Sequence, residues 1–133
     1  MLLSIAVAMG GTSCRKSSSD LNGADKNSST AADSYPLHLE PFVVNLADTD
    51  GNRFLRVGID LELEKPFSTK DGEPSTARIR DSVIFVLSTW QSNALLASDG
   101  KQKLKDEVLR ALQDRVPELR VREVYFTEFL VQR

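Results

Sequence analysis

The 133-residue chain holds a single cysteine and a single histidine. One cysteine excludes an intrachain disulfide, and with His38 as the lone imidazole a Cys/His zinc centre has no ligand set. A Gly-rich phosphate loop is missing as well, and so is any clustered nucleophile and base, so the sequence points to no metal, no cofactor and no small-molecule substrate. Charge of one sign is also lacking. The 17 basic and 19 acidic residues are mixed along the chain and leave a net charge of −2, without the basic stripe that a nucleic-acid binder presents. What remains is ordinary for a folded domain, 41% apolar and 27% charged residues, and function falls to binding and positioning rather than catalysis.

Long hydrophobic runs are also scarce. Residues 1–12 (MLLSIAVAMGGT) are apolar or small and uncharged, but as a helix they would extend only about 18 Å, against a hydrocarbon core of roughly 30 Å. This stretch reads as the apolar region of a signal peptide. Gly11, Thr12 and Ser13 then precede Cys14, the order of small residues and cysteine found at a bacterial lipid-attachment site. Gly11 stands where such sites usually carry leucine. Residues 1–14 are therefore a signal-like or lipobox-like segment with Cys14 as candidate lipid attachment; an ordinary thiol or a truncated membrane anchor are the other readings. Residues 15–34 are rich in Ser, Asn, Asp and Ala with Leu21 as the one large apolar side chain. They cannot bury enough surface to offset their ordering entropy and form a flexible tether with a reach of roughly 25 Å.

The domain occupies 35–133. Phe42, Val44 and Leu46 alternate with Val43 and Asn45 in a first strand, with Pro41 confining it to an edge or marking its true start. Asp50-Gly51 turns the chain. In the second strand Leu55, Val57, Ile59, Leu61 and Leu63 face one way and Arg56, Asp60, Glu62 and Glu64 the other. A loop over 66–74 leads to a helix from about Ser75, with Ile79, Val83, Val86, Leu87 and Trp90 as its core stripe. Ile84 and Phe85 widen that stripe, which requires either deep burial or contact with another subunit. A second helix is expected after Ser98 as N-cap, with Asp99 at the positive end of its dipole and Leu104, Val108, Ala111 and Leu112 inward. Pro117 ends it before a terminal strand over 119–133. The fold class is α+β: a small antiparallel-type sheet of three or four strands packed against two helices.

Candidate chemistry weighs lightly. His38 reads as a solvated or packed structural residue. Asp48, Asp50 and Asn52 alternate as calcium ligands do, but no downstream glutamate completes the loop, and a polar hairpin turn suffices. Ser98 and the Ser17–Ser19 run have no base nearby. Arg56, Asp60 and Glu62, on the polar side of the second strand, form the candidate interaction surface.

Four blocks, LEPFVVNLAD (39–48), RFLRVGIDLELEKP (53–66), RIRDSVIFVLSTWQSNALLASDGKQKLKDEVLRAL (78–112) and VREVYFTEFLVQ (121–132), resemble the C-terminal domain of the FliL family of flagellar basal-body-associated proteins. Arg80-Asp81 and Asp99-Gly100-Lys101 look like family features. The resemblance implies a stomatin-like domain that is held at the inner membrane, faces the periplasm, and assembles as a homo-oligomeric ring with the flagellar stator and basal-body proteins to support motility. Family members have a short cytoplasmic segment and one membrane helix where this chain has residues 1–13 and then Cys14. The alternative is an envelope lipoprotein, a binding or scaffold module not tied to the flagellum, for which Arg15 after Cys14 would permit outer-membrane export.

Overall fold

A computed structural model describes residues 33–68, 70 and 74–133. The expected segments 1–14 and most of 15–34, Cys14 included, lie outside the described residues. Within them the chain forms strand β1 (Tyr35–Asn45), strand β2 (Phe54–Leu63), helix α1 (Thr76–Leu87), a short helix α2 (Ser92–Leu96), helix α3 (Gly100–Arg115), a 3-10 turn (Pro117–Leu119) and strand β3 (Val121–Gln132). The strands pair antiparallel in the order β1-β2-β3, which makes β2 the central strand. The α+β plan is as expected, with three strands among the described residues and α2 added to the two helices.

The strict alternation in β2 dictates this arrangement. Leu55, Val57, Ile59, Leu61 and Leu63 are all buried and join Phe42, Val44 and Val124 from the flanking strands. The helices cover this face with Ile79, Val83 and Leu87 of α1, Leu95 of α2, and Leu104, Val108 and Leu112 of α3. Because side chains alternate across a pleated strand, the same register sends Arg56, Asp60 and Glu62 to the opposite face.

Pro41 is accommodated inside β1 rather than before it. The β1–β2 register slips between Leu39 and Phe42, and at this bulge the missing N–H costs no ladder bond. The Arg80 guanidinium donates to the Glu40 carbonyl at 2.8 Å and lies over the Phe42 ring, 4.2 Å from its centroid. Arg80 therefore ties α1 to the bulge. On the opposite edge of β2 and at the same level, Gly58 lies beside a second slip, in the pairing with β3; a Cβ there would stand 2.4 Å from Thr127 Oγ1.

Four expectations need correction. Trp90 is only half-buried: it follows the end of α1, and its indole N–H donates to Glu107 at 2.7 Å near the surface. Ser98 is not the cap of α3. Asp99 holds that position, and its carboxylate pairs with Lys103 at 2.6 Å instead of a backbone N–H. Gly100 enters the helix pressed against α2, so tightly that a Cβ would meet the Ala94 carbonyl oxygen at 2.2 Å. Ala111 is half-buried, at the margin of α3 rather than in its core. The terminal strand starts at Val121, because Leu119 belongs to the 3-10 turn and Arg120 reverses the chain at φ 51°. Ile84 and Phe85 are 40% and 55% exposed, which removes the deep-burial reading of the widened stripe.

Truncating the core should be costly. Ile59→Ala and Leu87→Ala, both fully buried, are each expected to destabilise by about 2–5 kcal/mol, and Val83→Ala by somewhat less. Urea denaturation checks this; unchanged midpoints would contradict the assigned core.

Candidate interaction surface

The polar face of the sheet is built by register. His38 lies opposite Asp60, and Asp60 opposite Tyr125, across the three strands. His38 Nδ1 and Asp60 Oδ1 are 2.5 Å apart. Tyr125 donates its hydroxyl to Glu62 at 2.7 Å, and Arg56 Nε reaches Glu128 at 2.9 Å. Each of the three candidate residues thus meets a partner on a neighbouring strand. The sequence pattern placed Arg56, Asp60 and Glu62 on one face correctly, but could not supply these partners, which come from β1 and β3. Val43, Tyr125 and Leu130 add exposed apolar surface to the same face. The arrangement can serve contact between surfaces; exposed pairs of this kind contribute little to folding and stay free to exchange partners.

Two carboxylic and phenolic groups on or beside this face are tuned by their neighbours. The Lys105 ammonium hydrogen-bonded to Glu123, at 2.9 Å, holds that carboxyl below its ordinary value, with a smaller part from the Val124 N–H. The Glu62 hydrogen bond pushes the Tyr125 phenol above its ordinary value of 10.0.

A second polar cluster was not legible in the sequence. Ser92 is fully buried at the start of α2. Its N–H donates to both Asp48 carboxylate oxygens at 3.2 Å, its hydroxyl donates to Asp48 Oδ1 at 3.1 Å, and that same hydroxyl accepts from Arg53 at 2.6 Å. The Ala47 N–H also donates to the Trp90 carbonyl at 2.8 Å. Asp48 opens the expected turn, its carbonyl accepting from the Gly51 N–H at 3.1 Å, and its carboxylate in addition fastens the β1–β2 hairpin to the α1–α2 junction. Arg78 performs a similar task lower down, where its guanidinium pairs with Glu118 and donates to the Arg115 carbonyl. These are structural uses of charge. Among the described residues no group of three or more His, Cys, Asp or Glu could hold a metal ion, and no helix is long and apolar enough to cross a membrane.

An α+β domain of this kind, with its charged groups engaged in strand and helix pairing, presents surfaces for contact. The family described as "Flagellar basal body-associated protein FliL" matches residues 37–132, from the third residue of β1 to the last residue of β3. The chain belongs to this FliL family. It is also 37% identical over 92 residues to a flagellar protein FliL from Aquifex aeolicus (strain VF5), a match that covers 69% of this chain and 57% of that relative.

Two measurements follow. Asp48→Ala should destabilise by about 1–3 kcal/mol, because it strands the buried Ser92 hydroxyl and N–H without their acceptor; a thermal melt like that of the unaltered protein would contradict the role given to Asp48. The pH dependence should have two limbs. The lowered Glu123 contributes stability that is present above its ordinary carboxylate value and lost as pH falls through the lower, folded one. The raised Tyr125 contributes stability that is present below 10.0 and lost as pH rises through its higher folded value. Melting curves across the pH range should show a weaker acid limb for Lys105→Met and a weaker alkaline limb for Tyr125→Phe.

Proposed function

We propose that the protein is a non-enzymatic accessory of the flagellar basal body, which associates with the motor stator and supports it to promote motility. The observation that carries this reading is the family match over 37–132, which takes in every strand and helix of the described domain. A domain rich in paired surface charge and exposed apolar patches suits a supporting role, since such surfaces hold neighbours without chemistry. In this reading the domain faces the periplasm, is held at the inner membrane through its N-terminal segment, and works as a homo-oligomeric ring. Residues 1–14 supply the attachment, through a membrane helix or through lipid on Cys14, and 15–34 the tether. The polar sheet face bearing Arg56, Asp60 and Glu62 then meets the next copy or a basal-body partner.

A clean in-frame deletion tests the function. Flagella of normal number with swimming weakened, most in viscous medium, is the expected outcome. Full motility in dilute and viscous media would detach the protein from the motor and favour the envelope lipoprotein reading. The surface has its own test. Asp60→Lys or Glu62→Lys should leave thermal melting within about 1 kcal/mol of the unaltered protein, since both are surface positions, while lowering the oligomer size seen by light scattering. Unchanged size in both variants would remove this face from self-association.

A further inference from the structure

Helices α1 and α3 leave a groove of about 640 Å³ between them. It adjoins a second hollow of about 340 Å³, and Trp90 and Glu107 line both. Clefts of about 300–1,000 Å³ are the size that takes a small organic ligand. Two aromatic rings form the platform. Phe85 is 55% exposed and has the Arg115 guanidinium on one face, 3.9 Å from the ring centroid. Trp90 is half-buried, and its indole N–H donates to Glu107 at 2.7 Å. Each ring is thus steadied by a charged neighbour, with apolar surface left open.

The charges of the rim cancel. Along α3 they alternate, plus at Lys103, minus at Asp106 and Glu107, plus at Arg110, minus at Asp114 and plus at Arg115. A rim of no net sign does not steer a ligand of either charge. The floor is not a continuous apolar trench either. Beside the two rings it offers only Ala111 and the buried Val86 among the described residues, too little for the row of anchors by which a partner helix docks. The second hollow adds the uncharged polar groups of Thr89 and Gln91. Separate aromatic faces rimmed by donors and acceptors suit a polyhydroxyl chain. A sugar ring lays its C–H face on an aromatic plane, and its hydroxyls donate to carboxylates and accept from guanidinium and ammonium groups.

One turn of α3 narrows the class. Arg110 and Asp114 make no hydrogen bond or ion pair among the described residues; arginine before the acid is the weaker order for a pair at this spacing. Ala111 lies between them in sequence. The three side chains supply a donor, an acceptor and a methyl contact, the complement of an acetamido group with its carbonyl, N–H and methyl. We propose that the groove binds a linear glycan of N-acetylated amino sugars, the chemistry of the cell wall. Phe85 and Trp90 stack on its sugar rings, and Arg110 and Asp114 take an acetamido group. This site is separate from the sheet face. It does not rest on a flagellar role, because binding is measured on the isolated chain and stands or falls whatever a deletion does to swimming.

Trp90 is the one tryptophan of the chain, so its fluorescence reports on the groove directly. The probe is the β-linked tetramer of N-acetylglucosamine, titrated into the full-length chain in a sugar-free detergent and followed by Trp90 emission and by calorimetry. The equally linked tetramer of glucose, the same chain without acetamido groups, is the comparison. The first should shift the emission and saturate. The second should bind roughly tenfold more weakly or worse, since Arg110 and Asp114 then lack their partners. Phe85→Ala, which removes one platform, and the double variant Arg110→Ala/Asp114→Ala should each weaken binding of the first tetramer by roughly tenfold or more. All three positions are exposed, and matching circular-dichroism melts establish that the fold is intact. The double variant should also bind the two tetramers alike, a loss of selectivity that damage to the fold does not produce, and it carries the test alone if Phe85→Ala unfolds. The proposal is overturned if the first tetramer changes neither emission nor heat, if both tetramers bind the unaltered chain equally, or if the variants bind as the unaltered chain does. An emission that follows protein concentration alone, or that answers to an amphipathic helical peptide and not to the glycan, also overturns it and gives the groove to a protein partner.

Discussion

The domain is organised by the burial of one side of a single central strand. Leu55, Val57, Ile59, Leu61 and Leu63 alternate without a break and are shielded to within about 1% of complete burial. At about 1.5–3 kcal/mol for each fully buried side chain of this size, that stripe alone rivals the net stability of a small domain. A slip of one residue would turn all five into water and bring Asp60 and Glu62 into the core. The register of β1 and β3 against β2 is therefore strongly fixed, and the helices have one place to pack. The polar face follows from this choice with no further instruction.

Charge serves two different ends in the molecule. In its interior and at its joints it closes gaps that strands and helices leave open. Arg80 satisfies a carbonyl exposed by the β1 bulge, and Asp48 and Arg53 share the hydroxyl of buried Ser92. Such groups cannot be lost singly, since the partner left behind would remain dehydrated. On the surface, charge is arranged in rows: Arg56, Asp60 and Glu62 across the sheet, and the alternating stripe along α3. These rows cost the fold little and are available for recognition. The two uses occupy different parts of the domain, so contact surfaces can vary while the joints stay fixed.

How much of this was legible beforehand depended on the range of the interaction. Periodicity in β2, α1 and α3 rests on contacts repeated every two or every three to four residues, and the strands, the two long helices and most of the core could be read from it. Where a position was decided by something distant, the reading failed. Ser98 has the chemistry of a helix cap, but the approach of Gly100 to the Ala94 carbonyl moved the helix start beyond it. Trp90 continues the apolar spacing of α1, yet α1 ends before it and Glu107 draws its indole toward the surface. Helix α2 is too short to show a period. For the candidate surface, the strand pattern placed Arg56, Asp60 and Glu62 on one face, but Glu128, His38 and Tyr125 could be assigned as partners only once the sheet order was known.

The pairing of β2 with β3 has a consequence for how the domain is made. Phe54 lies opposite Gln132, so this ladder joins residues from nearly opposite ends of the domain, with all three helices in the intervening chain. The β1–β2 hairpin needs only a short turn and can close early, whereas the second edge of β2 stays open until the last strand arrives. During synthesis from the N-terminus, the central strand of the sheet therefore waits with one side unpaired. Over that interval its backbone is an acceptor for any extended chain nearby, and the speed with which β3 is delivered governs whether the molecule completes itself or pairs with a neighbour.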